Sequence, residues 1–340
     1  MSKQDLNESG RVRMEDVAAI AGVSPATVSR VFSAPDKVSE ATRANVISTA
    51  NRLGFHPNRL AGSLRNSKAK IVGVIVPSLA NSFFAQTLQS LSQSLEALQY
   101  GVMVCSHDYN LEREEHLLKM LFEWSPSAVV VTGTAHTRKS MRLLLEAACP
   151  IVEIWDLDEN PLDTVIGFSN RDVGVAVAHH FWNSGRRSLA FVGRSLDRDQ
   201  RGAARCAGFI DTIEQLGGKR PGVIALPDQS TSAGGADAFS SLVESGVPID
   251  GIAFSNDILA LGGLFEAQRR GIVVPDDISV VGYGDLDFSA RIHPALTTVR
   301  LPQRQIGECT ADALSSRFSG ALSGERRIDL GFELIVRASG

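Results

Sequence analysis

The sequence predicts a small all-helical N-terminal domain followed by an α/β core built on parallel sheets. Residues 11–57 carry helix signals only, whereas from Lys70 onward short apolar runs alternate with helical segments, as is typical of parallel strands with covering helices. Charge divides the chain at the same place. Residues 1–70 contain eleven Lys and Arg against six Asp and Glu, so in a chain of net charge −4 the remainder carries −9. A basic head on an acidic body indicates that one end contacts nucleic acid.

A helix-turn-helix pattern occupies residues 14–32, which read MEDVAAIAGVSPATVSRVF. Its first helix is expected to place Val17, Ile20 and Ala21 on one apolar face, and Gly22 interrupts this spacing. Two short helices joined by a tight glycine turn form the helix-turn-helix, whose second helix is sized for the DNA major groove.

The second helix begins at a capping signal. Ser24 can accept a hydrogen bond from the first turn, and Pro25 fits the first helical position because no N–H partner is needed there. The exposed face of this helix carries small or hydrogen-bonding residues and one guanidinium, namely Ala26, Thr27, Ser29 and Arg30. Ser39 opens a third helix that reaches about Leu53, where Gly54 ends it.

Two segments flank these helices. Residues 1–10 are polar and are predicted to be disordered. Residues 58–68 have a helical pattern, but the segment is short and contains Gly62, which costs about 1 kcal/mol relative to alanine inside a helix. We expect this segment to fold only against a partner surface.

The core sequence predicts repeated strand–helix units. The predicted strands are 71–76, 101–105, 128–132, 151–154, 164–168, 189–192, 223–226, 251–254 and 279–282, with a final strand at 328–336. They alternate with helices at 83–99, 112–124, 138–147, 172–184, 201–215, 233–244 and 257–270. Nine or more strands are better shared between two parallel sheets than forced into one.

Several functional classes are disfavoured by the sequence. The four cysteines, Cys105, Cys149, Cys206 and Cys309, are widely spaced and show no metal-binding pattern, so we expect neither a metal nor another cofactor. The segment GYGDLD lacks the third glycine of a dinucleotide fingerprint, and no hydrolase or nucleotide-binding motif occurs. No apolar run suggests a signal peptide or a membrane span. These observations predict a cytoplasmic protein that is not an enzyme.

The chain resembles the LacI/GalR family of transcriptional regulators over nearly its whole length. The residues that carry the resemblance are VRMEDVAAIAGVSPATVSRVF, the hinge PNRLAGSL, IVGVIVPSLANSFF, FSNDILALG and ISVVGYGDLDFSARIHPALTTVRLP. The segments VEIWDLDENPLD, VVVTGTAHT and DLGFEL resemble the branch that regulates gluconate utilisation.

The resemblance implies a periplasmic-binding-protein-like core of two subdomains joined by three crossings. The crossings are expected near 168–169, 298–301 and 326–329. The implied domains are a helix-turn-helix domain at 11–57, a hinge helix at 58–68 and an effector-binding and dimerisation domain at 69–340. Within that domain, one subdomain spans about 69–168 and 299–327, and the other about 169–298 and 328–340.

The resemblance also implies which residues contact DNA. Ser24, Thr27, Ser29, Ser39 and Thr42 are expected at phosphates, where they position the protein without reading sequence. Pro25, Ala26 and Arg30 are expected to read bases, Arg30 by two bonds to a guanine. The hinge adds Asn58 and Arg59, together with Leu64 as a wedge in the minor groove. Two alternatives stay open: Ser24 and Ser39 also suit simple caps, and Arg30 also suits a phosphate contact. Arg13 stands where the family has a threonine-like cap, so the first helix is expected to fray there or Arg13 to reach a phosphate.

An effector is expected between the two lobes, at the carboxyl ends of the strands. By strand-end position and motif match, the candidate residues are Asn81, Phe83, Phe84, Thr132, Thr134, His136, Thr137, Glu153, Trp155, Asp156, Arg205, Asn256, Tyr283 and Asp285. Arg205 matches the family's pocket arginine, whose planar fork suits a carboxylate.

Alternatives accompany several of these residues. One of Phe83 and Phe84 also fits the core, Trp155 also suits packing at the lobe junction, and His136 also suits an ordinary loop position. Asp257 is interpreted as an N-cap and not a ligand. Gly284 stands where the family commonly has an aspartate, so a sugar-hydroxyl acceptor is missing unless Asp285 or Asp287 replaces it.

The predicted function is a homodimeric repressor of sugar-acid catabolic genes. It is expected to bind a pseudo-palindromic operator on the nucleoid and to be released by a small effector resembling gluconate. The alternatives are a regulator in the same family that answers to another sugar or acts by corepression, and, more remotely, a sugar-binding transport protein.

Overall fold

The computed structural model describes residues 12–55, 69–79, 83–227, 231–320 and 326–340. The predicted disordered segment 1–10 and the predicted hinge helix 58–68 lie outside these residues. The chain forms two compact units, residues 1–69 and 70–340.

The N-terminal unit is a three-helix domain. It contains α1 (Met14–Ala21), α2 (Pro25–Ser33), a short 3-10 helix (Pro35–Lys37) and α3 (Glu40–Leu53). Its core comprises Val17, Ala18, Ala21, Val28, Val31, Val46 and Ala50. The prediction for Ile20 was wrong, since this side chain is 50% exposed. The buried stripe runs through Val17, Ala18 and Ala21, and Ile20 lies about 100° round the helix from its centre.

Two polar contacts fix the ends of α1. The Asp16 carboxylate accepts the backbone N–H of Arg13 at 2.7 Å, so the first turn is held although arginine is a poor cap. At the other end the Asn45 side chain donates to the carbonyl of Ala21 at 2.9 Å. The expectation that the helix frays at Arg13 therefore finds no support in the geometry.

The larger unit alternates strands and helices, as predicted. The strands are β1 (Ala69–Val76), β2 (Gly101–Ser106), β3 (Pro126–Thr132), β4 (Ile151–Ile154), β5 (Thr164–Gly167), β6 (Leu189–Arg194), β7 (Gly222–Leu226), β8 (Gly251–Phe254), β9 (Ser279–Val281), β10 (Thr298–Arg300), β11 (Arg327–Asp329) and β12 (Glu333–Ile335). The helices are α4 (Phe83–Ala97), α5 (Leu111–Glu123), α6 (Arg138–Leu145), α7 (Asn170–Asn183), α8 (Gln200–Gln215), α9 (Ser232–Glu244), α10 (Asp257–Arg270) and α11 (Gln303–Phe318).

The strands form two main sheets, which define two lobes. The first sheet has the order β11-β5-β4-β3-β1-β2, and its pairs β1–β2, β3–β4, β4–β5 and β5–β11 are parallel. The second has the order β7-β6-β8-β9 with parallel pairs throughout. A short antiparallel pair, β10 with β12, forms a third sheet. The predicted fold class is confirmed. Among the described residues, no helix has both the length and the apolar character required to cross a membrane.

The predicted final strand at 328–336 was wrong, because the segment forms two strands in different sheets. Ile328 and Asp329 lie in β11, in the first sheet, and Gly331 adopts a left-handed φ of +64° before β12 begins. The chain therefore leaves the first sheet directly after Asp329, next to the third crossing expected near 326–329. The expected first crossing near 168–169 falls between the end of β5 and the start of α7 and stays a prediction.

Asp257 links the elements of the second lobe. The predicted N-cap role belongs to its neighbour, since the Asn256 side chain accepts the N–H of Leu259 at 3.0 Å. The fully buried Asp257 carboxylate accepts hydrogen bonds from the N–H of Leu286 at 2.9 Å and from the hydroxyls of Ser289 and Thr298, both at 2.6 Å. Burial raises the pKa of Asp257, and these hydrogen bonds oppose that rise. Asp257 thus joins the loop after β9 to β10.

A second buried charge cluster lies in the first lobe. His136 Nδ1 lies 2.8 Å from Glu114 Oε1, its Nε2 lies 3.6 Å from Glu153 Oε1, and the three side chains are at most 3% exposed. Burial alone lowers the pKa of His136, but the contacts with the two carboxylates outweigh it and raise the pKa to about 9. Burial lowers the pKa of nearby His107 to about 4, so that imidazole is neutral near pH 7.

Replacement of Asp257 by alanine is expected to lower the free energy of unfolding by about 3 kcal/mol or more, because three buried donors lose their acceptor. Urea denaturation measures this change. The control is Asp237→Ala, an exposed aspartate on α9, which is expected to change stability by less than about 0.5 kcal/mol. A loss no larger than that of the control contradicts the linking role.

Stability is expected to fall as the pH rises towards 9. The pKa of His136 in the folded protein lies above its ordinary value of 6.5, so the stabilisation is fully present below pH 6.5 and is lost as the pH passes through about 9. The amplitude is on the order of 2–3 kcal/mol. His136→Gln should flatten this slope, whereas His116→Gln, at an exposed site on α5, should keep it. Unfolding curves between pH 6 and 9.5 test this, and equal slopes in both variants contradict it.

Candidate functional site

The N-terminal unit presents a polar face on α2. Val28 and Val31 are buried in its core, whereas Pro25, Ala26, Ser29 and Arg30 are exposed. A face of this composition, next to a capped helix N-terminus, has the features of a surface that enters a DNA groove. The predicted base-reading residues thus lie together on one accessible face.

The predicted phosphate-contacting residues lie at two helix starts. Ser24 Oγ accepts the N–H of Thr27 at 3.1 Å, and Ser39 Oγ accepts the N–H of Thr42 at 3.3 Å. The two hydroxyl pairs are 2.9 and 2.8 Å apart. Ser24 and Ser39 are caps, and both remain exposed, so capping and phosphate contact are compatible. The predicted hinge contacts Asn58, Arg59 and Leu64 lie outside the described residues.

The candidate effector site is a cleft between the two lobes of the larger unit, with about 420 Å³ of space including its mouth. Predicted residues that line it are Phe83, Phe84, Trp155, Arg205, Asn256 and Tyr283. The lining also includes residues that the sequence did not predict, namely Tyr109, Arg194, Asp199, Arg201 and Ser255. Within the described ranges no group of His, Cys, Asp or Glu side chains is arranged to hold a metal ion.

Aromatic rings form the floor of this cleft. Phe84 packs edge-on against Trp155 at 4.9 Å between ring centroids, and Phe83 packs against Tyr283 at 5.9 Å. All four are buried, so they serve both the core and the cleft. Trp155 adopts a left-handed φ of +70°, and its buried indole N–H has no hydrogen-bond partner among the residues described. A buried donor of this kind suits a ligand hydroxyl.

Phe83 also explains the glycine at position 284. Gly284 has a φ of +130°, and a Cβ at this position would lie 1.9 Å from Cε1 of Phe83. The aromatic ring occupies the space that a side chain would need. An aspartate here is therefore excluded by Phe83 and by the backbone conformation together.

Arg205 is fixed from several sides. Its Nη1 donates to Asn170 Oδ1 at 2.6 Å, its guanidinium lies 4.0 Å from the Tyr283 ring centroid, and Nη2 is 3.9 Å from Asp199. Helices α7 and α8 pack closely, since a Cβ on Gly174 would lie 2.0 Å from the Arg205 carbonyl oxygen. This close packing brings α8 to the position where Arg205 lines the cleft. The Arg205 Nε has no hydrogen-bond partner within the described part of the chain.

Two further guanidinium groups lie at the cleft. Arg194 lies over the Tyr109 ring, 4.3 Å from its centroid, and 3.8 Å from Asp108. Arg201 extends from α8 in the second lobe and donates to the carbonyl of Thr132 in the first lobe at 3.2 Å. The cleft therefore combines three arginines with aromatic surfaces.

Two acidic groups and a phenol adjust this charge. Asp199 lines the cleft beside Arg205. Burial raises the pKa of Asp156 despite the opposing effect of Arg201, and the Asp156 carboxylate accepts from Asn170 Nδ2 at 3.1 Å. Burial raises the pKa of Tyr283 to about 12, so the phenol is neutral near pH 7. The lining therefore carries an excess of positive charge.

Other predicted effector residues have different roles. Thr137 Oγ1 caps α6 by accepting the N–H of Ser140 at 3.1 Å, and Thr132 Oγ1 donates to the Ile75 carbonyl at 3.1 Å. Glu153 and His136 belong to the buried charge cluster, and Thr134 is half-buried on the loop before α6. Asn81 lies outside the described residues.

Asp285, a predicted substitute for the missing acceptor, forms ion pairs elsewhere. Its carboxylate lies 2.7 Å from Arg300 Nε and 2.6 Å from Arg337 Nη2. These ion pairs hold β10 and the C-terminal segment. Asp199 is instead the carboxylate that lines the cleft.

Comparison with known proteins identifies the family of this chain. Residues 13–58 match the family model of bacterial regulatory proteins of the lacI family, and residues 178–340 match a periplasmic binding protein-like domain. The transcriptional regulator GntR of Pseudomonas aeruginosa is 35% identical over 100% of this chain and 99% of its own length. GntR of Escherichia coli strain K12 is 30% identical over 94% of this chain and 96% of its own length.

Solved structures of similar fold include LacI-family proteins. A LacI-family regulator from Silicibacter pomeroyi superposes with a TM-score of 0.92 at 31% identity, covering 96% of this chain and 99% of that one. The lac repressor dimer bound to operator and the anti-inducer ONPF gives a TM-score of 0.82 at 25% identity, covering 97% of this chain and 99% of that chain. The relatives are named as transcriptional regulators and not as enzymes. The chain belongs to the LacI family of DNA-binding transcriptional regulators.

Proposed function

We propose that this protein represses genes for the breakdown of a sugar acid and leaves its operator when that acid, gluconate or a close analogue, binds in the cleft. The repressor is a homodimer on a pseudo-palindromic operator. The lac repressor, to which the chain is similar, forms a dimer bound to operator. Because its target is chromosomal DNA, it acts in the cytoplasm at the nucleoid.

The composition of the cleft carries the proposal for the ligand. Hydroxyl-rich ligands pair with aromatic faces and with hydrogen-bonding groups, which Phe84, Trp155, Asp199 and Asn256 provide. A guanidinium can bind a carboxylate through two parallel hydrogen bonds, and three guanidinium groups line this cleft. Sequence resemblance to the gluconate-utilisation branch agrees with an acidic polyol.

The N-terminal unit decides between a regulator and a transport protein. A sugar-binding transport protein has no use for a three-helix head with an exposed arginine on its second helix. The charge of +5 on residues 1–70 favours binding to a polyanion. These features support operator binding as the output of ligand sensing.

Gluconate is expected to weaken operator binding. If the acid prefers the form of the protein that does not bind DNA, its saturation lowers operator affinity about 10-fold or more, and operator lowers gluconate affinity by the same factor. Fluorescence anisotropy with the protein's own promoter DNA, with and without gluconate, measures the change, and mannitol serves as the uncharged control. An operator affinity that no sugar acid alters contradicts the proposal.

Arg30→Met is expected to reduce binding to the operator by about 10- to 100-fold, since a two-bond contact to guanine contributes about 1–3 kcal/mol. Binding to random duplex should change much less. The charge-matched control is Arg52→Met, at an exposed arginine in the last turn of α3. Equal losses on both duplexes would show that Arg30 contacts a phosphate and not a base.

A further inference from the structure

We infer that Arg201 binds the carboxylate of the effector and that Arg205 binds its hydroxyls. This assignment rests on the proposed function and names the residue that separates an acid from a neutral sugar. It differs from the expectation that family resemblance gave for Arg205.

Arg205 already has partners for its charge. Its guanidinium contacts the Asn170 oxygen at 2.6 Å, faces the Tyr283 ring at 4.0 Å and lies 3.9 Å from the Asp199 carboxylate. A ligand carboxylate placed here would lie beside Asp199 and be repelled by it. The remaining Nε–H suits an uncharged oxygen, such as a hydroxyl.

Arg201 differs from the other two cleft arginines. Arg194 and Arg205 each have a carboxylate within 4 Å, whereas Arg201 has none among the residues that the structure describes. Its hydrogen bond there is to a neutral carbonyl, that of Thr132, and the side chain is half-buried. A desolvated guanidinium without a counter-charge is costly, and a ligand anion offsets that cost.

Asp156 is an acidic group that could compete for this charge. Arg201 opposes the rise that burial causes in the pKa of Asp156, but Asp156 makes no ion pair with Arg201 within 4 Å in the described structure. The Asp156 carboxylate is directed instead to the Asn170 amide and the Leu157 N–H. The guanidinium of Arg201 therefore keeps donors for a second acceptor besides Thr132.

The position of Arg201 connects anion binding to the arrangement of the lobes. Its side chain starts on α8 in the second lobe and reaches the end of β3 in the first lobe, where a Cβ on Gly133 would lie 2.8 Å from Nη1. A carboxylate on Arg201 thus lies where the two lobes meet. A ligand amide in place of the carboxylate can accept one hydrogen bond from Arg201 but provides no counter-charge.

The experiment compares gluconate with gluconamide, which has the same hydroxyls and no charge. Calorimetric titration of the full-length protein should show that the wild type prefers gluconate about 10- to 100-fold, as expected for hydrogen bonds to a charged group. Arg201→Gln should remove this preference and leave gluconamide affinity within about 3-fold, by the same reasoning. Arg201→Lys should keep part of it, because the charge remains without the planar fork.

Arg205→Gln should weaken both ligands by similar factors. The surface control is Arg198→Gln, three residues before Arg201, with a side chain that is 64% exposed; it should change neither affinity. Thermal unfolding and operator affinity of each variant without ligand establish that the variants are folded.

The results separate this inference from the proposed function. Loss of the acid preference in Arg205→Gln but not in Arg201→Gln overturns the assignment, and so does an equal loss of both ligands in Arg201→Gln. If the wild type binds both compounds equally, the polyol site stands and anion recognition is wrong. If it binds neither gluconate nor any other sugar acid, the proposed ligand class fails, and this inference fails with it.

Discussion

The positions of three guanidinium groups around one cleft are the constraint on which ligand binding in the larger unit depends. A buried charge is costly unless a partner compensates it, and each arginine meets this requirement differently. Arg194 lies over Tyr109 near Asp108, and Arg205 contacts Asn170 near Asp199. Arg201 has the carbonyl of Thr132. Because Arg194 and Arg205 lie near carboxylates and Arg201 bonds to a neutral carbonyl, the cleft contains both polar groups that are already paired and a position that can bind an anion.

The backbone provides the geometry that this arrangement needs. Four residues with left-handed φ values follow strands at the cleft end of the sheets: Asp108, Tyr109, Trp155 and Ser195. Such conformations cost about 1–3 kcal/mol each and persist where the surrounding structure fixes them. Two of them, Tyr109 and Trp155, line the space between the lobes. The close contact of α7 and α8 at Gly174 places Arg205 in the same space. The strain and the packing serve the site together.

The sequence predicted the fold well because its signals are local. Every strand and helix singled out in the core is present with ends within two residues, apart from the final strand. That strand was predicted as one because a pattern of apolar residues does not show that Gly331 turns the chain into another sheet. Likewise, the burial of Ala18 instead of Ile20 depends on how α2 and α3 pack against α1. Tertiary packing determines which side chains are buried and which sheet a strand joins, and the sequence of a single element does not show either.

The site was harder to predict than the fold, although some signals were present. Arg201 precedes Arg205 by four residues, so the two share one face of α8, and helical spacing could have identified it. Glu153 could have been excluded from the predicted effector residues. Val152 and Ile154 face the core cluster that includes Trp155, and strand alternation places Glu153 on the opposite face. By contrast, Arg194, Tyr109 and Asp199 come from separate segments whose approach depends on both lobes.

The two lobes also explain why one side chain can link binding to a change of state. A ligand shifts an equilibrium only by its difference in affinity for two arrangements. Arg201 carries five N–H donors in a planar fork, and one of them is bonded to the opposite lobe. Because a carboxylate can bind the same fork while the Thr132 carbonyl keeps its bond, an anion stabilises the arrangement in which the lobes meet. A neutral sugar that contacts only Arg205 has no charge for Arg201 to bind, so it does not favour this arrangement of the lobes in the same way.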